Sequence, residues 1–418
     1  MVASCDLGNV FSSPEDWKAS SAKFASEHRR DGFVAADASG KIVNCLGRGR
    51  CEWKGIPLWE ARVYFGEGGE GVQRLEMSLY NRGDAAGTDA RTMTKAALEA
   101  MIGDVSKKID PKGSPERDEK RQNRTGGGRQ VFRRWPRLDP AAELAWGYAE
   151  DGTADYVRLV LVPNGGARGA AARRPQTGAE ILSAIRKNVS RASNGDVSVA
   201  NVPMVDQGQK GYCAVAVAER VLRYFGRDVD EHQLAQLAGS TAGGGTDVAS
   251  MREALRNFCG RFRLAFTDIM SMVGGVRDAE REIDRYNRVA KPMGRPTLKF
   301  GDFMYGNTFM MPRMMAAMEP EVVLEMRKKD PRRAKFMKSV KDLTDKGIPV
   351  FWGVTLGMFP EPDIPQAEGG HMRLIIGYNE KTHEILYTDT WGAGHELKRM
   401  DEDRAFAITH DLFYLRPL

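Results

Sequence analysis

Between residues 32 and 81 the chain alternates apolar and polar positions in short runs broken by glycine-rich turns. Gly32-Phe33-Val34-Ala35-Ala36, Ile42-Val43-Asn44-Cys45 and residues 58–65 and 72–80 therefore predict strands. At Thr94 the period changes. Leu98, Met101, Ile102 and Val105 recur at helical spacing, and Thr94 is placed to cap a helix running to Ile109. Three further strand patterns follow at residues 131–135, 144–149 and 156–162, while residues 1–30 are polar and partly helical in pattern. Residues 1–165 thus predict a small α+β domain built on a mostly antiparallel sheet.

Residues 166–178 are rich in Gly, Ala and Arg, and that composition predicts a linker. Beyond it, residues 179–418 show helical patterns first, at 178–189, 212–225, 230–237 and 247–258, with Gly226 closing the second. Strand patterns come last, at 349–354, 372–378, 385–388 and 413–415. Helices followed by strands suit an α+β domain with a helical half facing a sheet half. Residues 269–347 read as an insertion. Within it, a methionine-rich stretch at 303–318 predicts adaptable core filling. Glu319-Pro320-Glu321 opens a helix, and residues 328–346 form a basic, solvated helical face.

Composition narrows the class. Of 418 residues, 42% are hydrophobic and 28% charged, which is ordinary for a globular chain. Lys and Arg exceed Asp and Glu by 62 to 56, and the excess is largely local. Residues 107–137 hold eleven basic against four acidic side chains around a Gly-rich centre, a pattern expected of a solvated loop rather than a nucleic-acid face. No stretch has the ~18–20 apolar residues of a spanning helix. Five cysteines are too few for a disulfide scaffold. Cys45 and Cys51 flank a Gly-rich turn and are open to two readings, a hairpin disulfide or two reduced thiols. Val2-Ala3-Ser4-Cys5 resembles the end of a bacterial lipoprotein signal, which makes Cys5 a candidate lipid anchor and tips the expected location toward the extracytoplasmic side.

The chemistry concentrates around Cys213. The stretch Val202 to Ala216 is a turn-rich loop that ends at Cys213, the first residue of a predicted helix. A helix N-terminus lowers a thiol's pKa, and its open N–H groups suit a developing oxyanion. Gln207, six residues upstream, offers a side-chain amide as a second oxyanion donor. Among six histidines, His371 stands out: it follows Gly369-Gly370 and leads an apolar strand. Asp389 ends the next strand pattern and is placed to bond the second ring nitrogen, fixing the tautomer. Trp391 is placed to shield that bond. Tyr212, Gly370 and Trp391 are the candidate substrate-binding residues, and His395 is a reserve base.

The order Cys, His, Asp with an upstream Gln resembles the papain-like plan. Over residues 200–400 it resembles the C39-like branch of papain-fold cysteine peptidases. The resemblance rests on Gln207, Tyr212-Cys213-Ala214-Val215-Ala216, the spacing from His371 to Gly377-Tyr378, Asp389-Thr390-Trp391-Gly392 and the turn Gly243-Gly244-Gly245-Thr246. It implies Cys213 as nucleophile, His371 as base and acid, Asp389 as orienter and Gln207 as oxyanion donor, acting on a peptide or isopeptide bond through a thioester. Ala214 departs from the Gly usual in C39 members. Two alternatives share the same residues: transglutaminase-like acyl transfer, and a catalytically silent papain-like binding module. There is no HExxH and no zinc-spaced Cys/His set, so neither metal nor other cofactor is expected. The expected partner is a peptide or protein substrate.

Overall fold

The computed structural model describes residues 5–36, 40–46, 50–82, 93–122, 129–148, 152–164, 176–207, 213–227, 234, 248–272, 276–306, 308–366 and 368–418. They form two compact units that do not follow chain order. The first gathers Met1–Pro175, Met204–Asn257 and Gly392–Gly394; the second gathers Gln176–Pro203, Phe258–Trp391 and His395–Leu418. Residues 166–175, most of the expected linker, lie outside the described residues.

The first unit is built on an eight-stranded sheet. Its order is Phe33–Ala35, Ile42–Leu46, Glu60–Phe65, Val72–Asn81, Ala154–Val162, Ala141–Tyr148, Arg129–Trp135 and Glu119–Gln122. Every pairing is antiparallel. The helix Lys95–Ile109 begins where expected, with the Thr94 hydroxyl accepting from the Ala97 N–H. Its Leu98, Ile102 and Val105 join the core formed by Val63, Leu75, Leu144 and Leu159. Part of the basic segment expected as a loop is instead the edge strand Glu119–Gln122. Its charges are matched locally. Arg133 forms a two-pronged pair with Asp118, and Arg134 bridges Glu119 and Glu143.

The helix Cys213–Tyr224 also belongs to this unit. Ala214, Ala216 and Ala218 alternate with Val215 and Val217, and the helix is buried on all sides from Ala214 to Leu222. A helix so enclosed must pair any charge it carries. Glu219, completely buried, meets Arg223 at 2.6 Å and Arg62 of the sheet at 3.7 Å. Arg223 also donates to the Tyr64 hydroxyl at 2.8 Å, and Tyr64 donates to Glu76 at 2.7 Å. These contacts bind the cysteine helix to the N-terminal sheet.

The second unit has an antiparallel sheet ordered Val189–Arg191, Asp196–Val199, Gly369–Asn379, Val350–Leu356, Thr409–Pro417, Leu264–Ser271. Glu384–Thr388 pairs with Gly369–Asn379 and continues to Lys398–Asp401. The close approach of Asp196–Val199 needs Gly377, because a Cβ there would lie 2.3 Å from the Val197 carbonyl oxygen. The expected insertion contains Val276–Ala290, Met311–Ala317, Pro320–Lys328 and Arg332–Thr344 as helices. Met314, Met315 and Met318 are buried, as core filling requires. Overall this is a mixed α+β protein in which a sheet-rich N-terminal part precedes the cysteine helix. Among the described residues, no helix is long and apolar enough to cross a membrane.

Candidate active site

His371, Asp389 and Trp391 come together in the second unit. His371 lies on the central strand Gly369–Asn379, and Asp389 follows directly on its neighbour Glu384–Thr388. Register places Leu374 opposite Thr388, which brings the end of one strand beside the start of the other. The His371 Nε2 to Asp389 Oδ1 distance is 2.5 Å, and both side chains are fully buried. Trp391 stacks face to face on the imidazole, with ring centroids 4.4 Å apart and planes inclined by 5°. A cation gains from an aromatic face, so the stack favours the imidazolium form.

Asp389 accepts from three donors. Besides His371, it takes the Arg373 Nε–H at 2.7 Å on Oδ2 and the Thr390 N–H at 3.0 Å on Oδ1. Burial pushes its carboxyl upward, yet His371 and Arg373 together hold it down at about 2. The aspartate is therefore ionised from mildly acidic pH upward.

Arg373 was not among the sequence-derived candidates. It lies two residues beyond His371, on the same face of the strand. Its guanidinium is completely buried, reaching Glu361 at 2.8 Å as well as Asp389. Tyr387 donates to Glu361 at 2.7 Å and places its ring 4.7 Å from the guanidinium carbon. The available signal was an arginine inside the apolar run Met372-Arg373-Leu374-Ile375, because a charge in a central strand demands partners. Glu361 carried no such signal; it sits in an irregular connection.

The other candidates fall as follows. Gly370 is exposed, and a Cβ added there would meet open space. His395 meets the site through its backbone: its carbonyl accepts from the Asp389 N–H and the Thr388 hydroxyl, both at 3.0 Å. Its ring stands edge-on to Trp391 at 5.7 Å. Cys213 and Gln207 belong to the first unit. Cys213 is half-buried at the first position of its helix and is not bridged; the Gln207 side chain is buried. Tyr212, Gln209, His232 and residues 243–246 lie outside the described residues. Gly392 adopts φ 75°, with its α-carbon so near the Asp206 carboxylate that a Cβ would come within 2.5 Å of an oxygen.

Comparison with known proteins places the chain in a class. The sequence model of the Peptidase C39 like family matches residues 199–411, just over half of the chain, and the chain belongs to that family. At family level it is a cysteine peptidase. Among solved structures it is similar to xylellain, a cysteine protease from Xylella fastidiosa, at 13% identity and a TM-score of 0.25, covering 59% of this chain and 91% of that one. No curated protein matches it.

Proposed function

We propose that the protein hydrolyses a peptide or isopeptide bond in a peptide or protein substrate, with Cys213 as nucleophile, His371 as base and acid, Asp389 as orienter and Gln207 as oxyanion donor. The observation that carries the reading is the buried His371–Asp389 pair under Trp391, within the same family-matched stretch as a helix-opening cysteine. Because Asp389 engages Nε2, the working nitrogen of the base is Nδ1.

In this scheme the Cys213 thiolate attacks the substrate carbonyl carbon while His371 is imidazolium. The Gln207 amide and the backbone N–H of Cys213 hold the oxyanion. The C–N bond breaks as His371 Nδ1–H gives its proton to the leaving amine, leaving a thioester. Water then attacks the thioester, passes a proton to His371, and releases acid and thiolate. Asp389 and Trp391 keep the imidazolium favourable and in plane. Tyr212, Gly370 and Trp391 are assigned to substrate binding, with Gly370 leaving room for the chain.

The test is site-resolved alkylation. Limiting iodoacetamide is applied across mildly acidic to mildly basic pH, and the label is located by peptide mass spectrometry. Selective acid-side labelling of Cys213 that disappears in His371→Ala supports the pair. Labelling of Cys213 that rises only near an ordinary thiol pKa of ~8.5 refutes it. Cys213→Ala must also abolish cleavage of a peptide library while the circular dichroism spectrum is retained.

A further inference from the structure

The peptidase scheme leaves one dense cluster of reactive side chains unused. It lies in the first unit and gathers three cysteines, a histidine and an aspartate from four separate stretches of chain. Cys5 lies on the strand Cys5–Asp6, which runs parallel to Cys51–Trp53 with Cys5 opposite Cys51. Cys45 lies on Ile42–Leu46. His28 ends the helix Ser21–Glu27, and Asp31 lies in the single 3-10 turn that follows. The Cys5 sulfur is 3.6 Å from His28 Nδ1, and the same nitrogen is 3.0 Å from Asp31 Oδ2. The three ligand atoms all lie within 4.8 Å of one another. The Cys45 sulfur is 3.5 Å from the Asp31 carbonyl oxygen, and the Cys51 thiol hydrogen-bonds to Cys45. The imidazole is held by the rings of Phe24 and Phe33, at 4.6 and 6.0 Å.

Two other readings of Cys5, His28 and Asp31 fail on this geometry. A second Cys–His–Asp relay needs one ring nitrogen for the thiol and the other for the carboxylate. Here Nδ1 faces both, so no proton can pass along the ring. A Cys45–Cys51 disulfide would account for those two sulfurs and leave the convergence of Cys5, His28 and Asp31 unexplained. All three cysteines are unbridged.

One donor atom from each of several chain segments, aimed at a common point, is the arrangement of a metal site. With metal–sulfur and metal–nitrogen bonds of about 2.3 and 2.05 Å, a tetrahedral ion sets its sulfur and nitrogen ligands about 3.6 Å apart. The Cys5–His28 separation has that value. We infer that Cys5, His28 and Asp31 bind a thiophilic divalent cation of the zinc class. Mixed sulfur, imidazole and carboxylate donors suit zinc better than a hard ion such as magnesium or calcium. The ion would tie the N-terminal strand to the turn after the first long helical stretch. No linear motif shows this, because the ligands are spread over positions 5, 28 and 31.

The test uses the full chain, reduced and stripped with chelator, titrated with cobalt(II) as probe. The expected result is one cobalt per chain, with a thiolate-to-cobalt charge-transfer absorption that zinc abolishes. Cys5→Ser and His28→Ala should each weaken binding about 100-fold or more, while Cys259→Ser leaves it unchanged. Metal content of the untreated wild-type chain, measured by mass spectrometry, covers the case in which a variant fails to fold. Absence of stoichiometric binding by the reduced wild-type chain overturns the inference. So does an isolated chain bearing lipid on Cys5, because that removes a proposed ligand sulfur.

Discussion

Replacing Asp389 by Asn tests whether this carboxylate is shared. If Asp389 served His371 alone, an amide would be a mild change, since its oxygen still accepts from Nε2–H. In the structure the carboxylate accepts from His371, Arg373 and Thr390. An amide has one oxygen, so its NH2 group must point at a donor, and the buried Arg373 loses half of its counter-charge. Removing one partner of a buried pair costs about 3–5 kcal/mol. Because Arg373 keeps Glu361 at 2.8 Å, the low end, about 3 kcal/mol, is expected at neutral pH. The acid limb gives an independent number. The folded carboxyl lies at about 2, below its ordinary 3.8, and carries about 2 kcal/mol. A depressed pKa means the folded state binds fewer protons than the unfolded state. This stabilisation is therefore complete above pH 4 and is lost as pH falls through about 2. Urea unfolding followed by tryptophan fluorescence between pH 7 and 3 should show Asp389→Asn destabilised at pH 7, with the gap narrowing toward acid. In an Arg373→Met background the same substitution should cost at least about 1 kcal/mol less. Additive losses, or an Asn variant as stable as wild type at pH 7, would refute a shared carboxylate.

Three further expectations follow from other contacts. Trp391→Ala removes the face on which the imidazolium stacks, a loss of about 1 kcal/mol, and should raise the pH at which Cys213 alkylation sets in by roughly 0.7 units, with Trp391→Phe nearer wild type. His410, bonded to the Thr355 hydroxyl, is held down at about 4 by burial and by Arg327. The unfolded state binds its proton first, so stability falls as pH drops from 6.5 toward 4, by up to about 3 kcal/mol, and His410→Gln should flatten that slope in pH-dependent unfolding. Glu219→Gln leaves Arg62 and Arg223 sharing a weaker partner and should cost about 3 kcal/mol in chemical denaturation.

Local periodicity made much of the fold legible. Thr94 and the Leu98, Ile102, Val105 spacing mark a helix because propensity, capping and amphipathicity agree there. The strands of the first sheet are legible for the same reason. Glu119–Gln122 was not, because its four residues are polar and its pairing depends on a partner strand and on the ion pair of Glu119 with Arg134. The His371–Asp389 contact was legible because each residue sits at the edge of a strong apolar strand pattern. Arg373 escaped because a sequence shows that a buried charge needs partners but not which ones it finds. The Cys5, His28 and Asp31 cluster escaped for a related reason: a parallel strand pair and a turn unite ligands that have no common motif.

Buried charge is what turns these folds into chemistry. An apolar interior makes an isolated ion expensive, so each buried charge fixes its neighbours in place. Arg373 does this for Asp389: the guanidinium holds one oxygen, the Thr390 N–H supports the other, and His371 is left a single direction from which to bond. The same guanidinium draws on the negative charge that would otherwise serve the imidazolium alone. Asp389 therefore orients His371 more firmly, and charges it less strongly, than an unshared aspartate would. On this argument Arg373 is a positioning residue. Its removal should favour the imidazolium even as it destabilises the second unit, so acid-side alkylation of Cys213 should set in at lower pH in Arg373→Met. An onset moved to higher pH instead would mean that the arginine's geometric role outweighs its electrostatic one.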